Sequence, residues 1–523
     1  MLDMIVVGAD NLSVYVGGPV TMWGLFMFKS KLLILSACLL ASASAIAGTS
    51  RQPLTETPIP PPAPPQILSP VPMPEPLPAP APITGGIEFN ANDVSILFPA
   101  PERPEDIITH SLRLTDFDTD KVFPELEFQQ SMAVITGPST LTLPDRAFTV
   151  DAGAIPGSSS RIRFPGINSR QDWALAGIRI DPGAPGLTTD IFDVFGKSPQ
   201  IRLILQPIRT FGSNVQVTDG SLHLVYAFHA ANDPTQSCRF HNVPDMEGFH
   251  DAVADLKAIK DRFARDHGVD TTGRPLGIHP AFATAGPEFK AVLRDYLNEY
   301  LTLDRLFAVS VAGIPLPAPE PWVFVAMQRS PFSGNIEAVP GLAIEQPEGG
   351  LNLAQMISFI DQRQIQPAPA TRNKQPVDCR SNLSSAIREQ NPDHGVSTAM
   401  VFDRSFQSVS NPPGISAVSE IIADPARSHF FNTDCVSCHT ETRKEIDQGA
   451  ATVSQIARES HIDPAVIPDG QWNVRAFGWF PGFPQRRAGA HETVTRRTAL
   501  ETEEVVECFK TDRWSSADQS CLP

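Results

Sequence analysis

Between Pro53 and Pro82 the chain carries 14 prolines, in runs such as Pro60-Pro61-Pro62-Ala63-Pro64-Pro65 and Pro74-Glu75-Pro76-Leu77-Pro78-Ala79-Pro80. Each proline removes a backbone donor and fixes φ, so neither a helix nor a sheet propagates through the run and no core forms in it. The segment reads as polyproline II, a semi-rigid spacer that reaches about 90 Å at about 3.1 Å per residue. A Pro-rich ligand for another domain is the alternative reading. Either way the run divides the chain: a folded body has to be built from residues beyond Gly86, and residues before the spacer form a separate segment.

That earlier segment has the pattern of a secretory signal. Starting at Met27, Phe28-Lys29-Ser30-Lys31 supplies a basic stretch, Leu32 to Leu40 an apolar one, and Ala45-Ile46-Ala47 a small-residue cleavage site before Gly48. The apolar run is too short to cross a bilayer, so no transmembrane helix is expected in the mature chain. Met1 to Phe26 lack such a pattern, which places the functional start at Met27 and residues 1–47 in a signal region. Leu35-Ser36-Ala37-Cys38 also resembles the lipobox of bacterial lipoproteins. Lipidation of Cys38 therefore competes with cleavage after Ala47, and would make the 48–86 linker a spacer from a membrane.

Past the spacer the pattern changes to short β-favouring runs separated by Pro, Gly and Asp. Ser111-Leu112-Arg113-Leu114, Arg161-Ile162-Arg163-Phe164, Ala176-Gly177-Ile178-Arg179-Ile180, Gln200-Ile201-Arg202-Leu203-Ile204-Leu205 and Ser221 to Phe228 read as strands of an antiparallel sandwich or barrel. Met246, Phe249, Val253, Leu256, Ile259 and Phe263 recur at helical spacing, as do Val292, Leu293, Tyr296, Leu297 and Tyr300, which predicts two amphipathic helices packed on the sheet. Trp322 to Met327 reads as a returning strand and Leu351 to Asp361 as a further helix. His223 and His229 are lone strand histidines, a class more often packed or solvated than metal-bound. With 41% hydrophobic residues and a formal charge of −17, the chain suits a globular protein outside the cytoplasm, and its acidity argues against a nucleic-acid partner.

Farther along stands Cys435-Val436-Ser437-Cys438-His439. The spacing C-x-x-C-H is what covalent attachment of one c-type haem requires: two thiols add to the two vinyl groups of a porphyrin, and the adjacent imidazole ligates the iron. Random placement of the chain's Cys and His gives about 0.002 such pentapeptides, so chance is a poor account of it. A thioredoxin-like redox pair and half of a zinc site are the competing readings. The first calls for a helix opening at the motif after a buried strand, whereas His429 to Asp434 read as a helix end running into a loop. The second calls for a nearby second ligand pair, and the sequence has no other C-x-x-C and no H-x-x-x-H. With Cys435 and Cys438 assigned to haem and Cys38 to the signal, Cys238, Cys379, Cys508 and Cys521 remain. In an oxidising compartment the natural pairing joins Cys508 to Cys521 and leaves Cys238 with Cys379 by elimination.

Ile415 to His429 supplies a helix ahead of the motif, and Thr498 to Phe509 a terminal one. The order helix, C-x-x-C-H, loops, terminal helix resembles the c-type cytochromes over roughly 120 residues, specifically at five positions and loosely elsewhere. The resemblance implies a mainly α domain at 401–523 in which Cys435 and Cys438 carry the thioethers and His439 is the proximal ligand. The family's usual distal Met is missing, since no Met follows residue 400. His491 occupies the corresponding stretch and is the first choice for the distal ligand, followed by His461 and Met400. The alternatives are a five-coordinate iron, or a ligand from the earlier domain such as Met246 or Met327. Trp472, Phe477, Trp479, Phe480 and Phe483 are candidates to wall a haem pocket; Arg486, Arg487, Arg496 and Arg497 either pair with propionates or sit in water, and water is expected for at least two.

The expectation is thus a multidomain α+β chain: a β-sandwich-like domain with packed helices at 87–365, a junction at 366–400, and the cytochrome c-like domain. Its function would be one-electron transfer to a redox partner protein in the periplasm, on the outer membrane or at the cell surface of a bacterium. A haem oxidase or peroxidase with an open iron, and a surface binding protein with an accessory haem, are the competing readings. Gly-rich phosphate loops, H-E-x-x-H and G-x-S-x-G are missing, which leaves the matching nucleotide-dependent and hydrolytic classes without support.

Overall fold

The computed structural model describes residues 86–136, 140–142, 149–151, 169–183, 199–218, 220–228, 245–313, 321–329, 334–338, 357–359, 415–425, 435–468, 473, 475–481, 490–511 and 514. The fold is α+β and its sheet is antiparallel. Strands β1 (Ser95–Leu97), β4 (Trp173–Asp181), β5 (Gln200–Phe211), β7 (Ser221–Ala227), β8 (Leu306–Gly313), β9 (Pro321–Arg329) and β10 (Ile336–Ala338) lie in that order, with β6 (Asn214–Val217) paired to β5 and β11 (Ile357–Phe359) to β9. Two hairpins stand apart from this ladder: β2 (Thr140–Thr142) with β3 (Thr149–Asp151), and β12 (Phe477–Phe480) with β13 (His491–Val494).

Strand alternation gives the central strands two unlike faces. In register, Ile178, Leu203, Leu224 and Val309 stand side by side, and one residue along so do Ile204, His223 and Ser310. The first face belongs to a large apolar core with Ile180, Ile201, Leu205, Leu222 and Tyr226. Two amphipathic helices supply the other half of that core through Phe249, Val253, Leu256, Phe289, Leu293 and Leu297. Among the described residues the helices are α1 (Ala91–Val94), α2 (Pro104–Thr109), α3 (Glu125–Thr136), α4 (Met246–His267), α5 (Ala281–Tyr300), α6 (Ile415–Ala423), α7 (Cys435–Asp447), α8 (Val453–Glu459) and α9 (Arg496–Lys510). Helices α4 and α5 cover the apolar face, as their spacing predicts; Asp245 caps α4 by accepting from the Gly248 amide at 2.9 Å.

The second face is covered by the C-terminal segment. Leu97, Ile204, Phe477, Val494 and Ala499 form a smaller core there with Ile456, Ile462 and Val466. The end of α9 also reaches the larger core, where Trp479, Val505, Val506 and Phe509 are buried. Residues beyond 400 and residues of the sheet therefore share both cores, and every described residue lies in one unit, Pro78–Pro523.

Two local expectations are corrected. Leu351 to Asp361 is not a continuous helix, because Ile357–Phe359 pairs with β9, Ile357 opposite Val323; an open sheet edge satisfies backbone groups that a short helix would leave at its ends. Ser111 to Leu114 makes a single bridge, Arg113 to Ala174, before a 3-10 turn at Leu114–Asp116. There the Asp116 carboxylate accepts from the Arg113 amide at 2.8 Å and draws the chain out of the ladder. Arg161 to Phe164 and His229 lie outside the described residues. No described helix is long and apolar enough to cross a membrane.

Candidate functional site

The C-x-x-C-H motif forms the first turn of α7. It therefore opens a helix, as a thioredoxin-like pair would also require; His429 to Asp434, which the sequence reads as a helix end running into a loop, lie outside the described residues. Helix α7 is locked to α9 at its polar end. The first amides of a helix have no partner within it; in α9 the Arg496 amide donates to Thr442 Oγ1 at 2.8 Å and the Arg497 amide to Glu441 Oε1 at 3.0 Å. Arg496 also pairs with Glu445 at 2.7 Å. Burial pushes the Glu441 carboxyl up to about 6, offset in part by its bonds from Thr442 and Arg497.

Hairpin β12–β13 sets this assembly on the sheet. Gln206 of β5 grips the backbone of Trp479 from both sides, donating to its carbonyl at 2.6 Å and accepting from its amide. The Trp479 indole donates to the Phe98 carbonyl at 2.8 Å. Gly177 on β4 leaves room for Phe477, because a Cβ there would lie 2.4 Å from the Phe477 ring.

Between sheet and helices lies a cavity of about 210 Å³. Its lining includes Cys438 and His439 of α7, Arg179 of β4, Arg202 of β5, Ser221 and His223 of β7, Arg475, and Arg497 and Glu501 of α9. Four guanidinium groups thus converge on one cavity of a chain whose formal charge is −17. Glu501 is shared by Arg179 at 2.6 Å and Arg497 at 2.7 Å, while Arg202 bonds to Asp181 through Nε at 2.8 Å. Burial alone would push Glu501 up, but Arg179, Arg497 and Arg202 hold it down to about 2. Glu504, one turn along α9, is pushed up to about 7 by burial and by Glu501.

The Arg179 side chain is 8% exposed, and its Nε and Nη2 are buried with no hydrogen-bond partner. Buried donors of this kind are costly unless an acceptor arrives. A haem brings two carboxylates, acceptors of the kind that the buried donors of Arg179 lack, so the residues present fit the group that C-x-x-C-H implies.

The other expected residues are distributed as follows. His491 faces Phe480 with ring centroids 5.2 Å apart and does not line the cavity; it pairs with Phe480, three positions along β12 from the lining residue Phe477, roughly 10 Å at strand rise. His461 is exposed on a turn with φ 49°, its carbonyl accepting from Leu276. Met327 is buried in the large core and Met246 packs against it. Met400, Trp472, Phe483, Arg486 and Arg487 lie outside the described residues, and of Cys435 only the backbone is described. Arg496 and Arg497 are not in water: one is paired with Glu445, the other lines the cavity. Cys508 is disulfide-bonded, and Cys521, Cys238 and Cys379 lie outside the described residues.

Of Arg179, Arg202, His223 and Arg475, the sequence reading singles out His223 alone, and sets it aside as packed or solvated. A signal for the first three existed: each is a polar residue flanked by apolar ones in a strand, the pattern of a second, polar face. Burial, the neighbouring His439 and the charges of Arg475 and Arg202 hold the His223 imidazole down to about 3. Comparison with protein-family models, with curated proteins and with solved structures finds no match for this chain.

Proposed function

We propose that this is an exported protein that carries one covalent c-type haem and transfers single electrons to and from a partner protein. The observation that carries the reading is the meeting of Cys438 and His439 with four guanidinium groups in one cavity. Cys435 and Cys438 would hold the group through thioethers, His439 would bind its iron, and Arg179 with its neighbours would receive its carboxylates. Such a group supplies reversible Fe(III)/Fe(II) cycling when bound. The chain's own part is to fix position and field. Helix α7 presents the motif, α9 and the sheet present the charges, and Phe477 and Ile204 give the cavity apolar wall. The cytochrome c-like reading of 401–523 and the sandwich-like reading of the sheet belong to this proposal, as do export and the tether through Cys38.

A dithiol redox centre has one observation in its favour, since a C-x-x-C that opens a helix has its thiols at the positive end of the helix dipole. It makes no use of His439 or of the unpartnered donors on Arg179. One experiment separates the two. The chain, expressed with a haem-attachment system, is run on denaturing electrophoresis and stained for haem, beside Cys438→Ala. Staining of the wild type at near one haem per chain, at least tenfold weaker in the variant, is the expected result; an unstained wild type returns the cysteines to thiol chemistry.

A further inference from the structure

The haem reading leaves the second axial position of the iron open, and the fold offers a residue for it. We infer that His223, on strand β7 of the sheet, is the second axial ligand, so that the iron is held between α7 and the sheet. The inference rests on the haem reading above. Among the described residues, His223 and His439 are the two imidazoles that line the cavity. They come from opposite walls, one from the sheet and one from the helix laid over it.

The strand register explains why His223 is available. Its neighbours in sequence, Leu222 and Leu224, are fully buried in the large core. Alternation therefore turns His223 to the opposite face, beside Ile204 and Ser310 on the adjoining strands. Ser221, two residues back on the same face, holds Nε2 of the ring at 2.6 Å, which leaves Nδ1 for a metal. A hydrogen bond on one ring nitrogen is the usual device for fixing the tautomer and orientation of a ligating imidazole. The competing donors are displaced: His491 lies outside the cavity lining, His461 on an exposed turn, and Met246 and Met327 in or against the core on the sheet's other face.

A second protein ligand makes the iron six-coordinate and closes it to small ligands, which favours electron transfer over oxidase or peroxidase chemistry. It also gives the residues before the motif a direct part in the site, because the sheet then supplies a ligand as well as a scaffold.

The test uses the full haem-loaded chain and reads spectra. Wild type, His223→Ala, His223→Met and His491→Ala are stained for haem, then recorded oxidised, reduced, and reduced under carbon monoxide. The expected wild type is low-spin and unmoved by carbon monoxide. His223→Ala should stain equally, become high-spin, bind carbon monoxide completely, and return to low-spin when free imidazole is added. His491→Ala should match the wild type. If His223→Ala does not fold, as judged by circular dichroism, His223→Met provides the same reading through a changed ligand field and potential. Staining with a wild-type spectrum in both His223 variants overturns the inference and leaves the haem reading standing, as does a wild type that binds carbon monoxide. An unstained wild type overturns the haem reading and the inference with it.

Discussion

The two faces of the central sheet are built from the same strands and meet opposite fates. Under α4 and α5 the face is apolar apart from the Tyr226 hydroxyl, which donates to the Val122 carbonyl, and its stability comes from area removed from water. Under the C-terminal segment the face carries Arg179, Arg202, Gln206 and His223, and each must find a partner or be costly. Gln206 finds Trp479, Arg202 finds Asp181, and Arg179 shares Glu501 with Arg497. A face that buries arginines, with two donors of Arg179 left unpartnered, is poorly suited to be a core and well suited to receive an anion. That is the difference between a scaffold face and a site face.

Three substitutions sharpen this contrast, ordered by expected effect. Glu501→Gln should cost about 4 kcal/mol, read as a lower midpoint in urea, because it leaves two buried guanidiniums without their shared carboxylate. The wild type should suffer a related loss in acid. Glu501 is held at about 2 against an ordinary 4.5, so its stabilisation is complete above about pH 4.5 and disappears as pH falls toward 2. An unchanged midpoint in the variant would mean that the charged face is screened by solvent after all. Leu224→Ala, next to His223 but on the opposite face, should cost about 3 kcal/mol through the cavity it opens, while haem staining and spectrum stay as in the wild type. A spectral change there would break the separation of the two faces.

Glu504→Gln should have the smallest effect and the opposite sign. The native carboxyl is pushed up to about 7 from 4.5, so ionising it opposes folding: stability is full below about pH 4.5 and is lost as pH rises through 7. The variant should equal the wild type at pH 4 and exceed it by about 1 kcal/mol at pH 8, allowing for its partial exposure. Thermal melts at the two pH values check this, and a gain that does not depend on pH would argue against the charge assignment.

Much of the scaffold was legible along the chain. The spacing of Met246 to Phe263 and of Val292 to Tyr300 predicts α4 and α5, the runs around Ile178, Leu203 and Leu224 predict β4, β5 and β7, and the terminal helix agrees with α9 within two residues at its start. These elements follow from periodicity, which is local. The short run at Ile357 is a strand where its own sequence predicts helix, because its state depends on β9, a neighbour remote in sequence.

By itself the sequence determined where folding can begin, which segments alternate, and that Cys435, Cys438 and His439 stand at haem-attachment spacing, since each of these is a property of neighbours along the chain. The tertiary structure alone decided that His439 meets His223, Arg179 and Arg202, residues more than 200 positions earlier, across one cavity. Which polar residues of a strand become a site depends on what is laid over its second face, and that is set by packing between distant segments, such as Phe477 on Gly177 and Gln206 on Trp479.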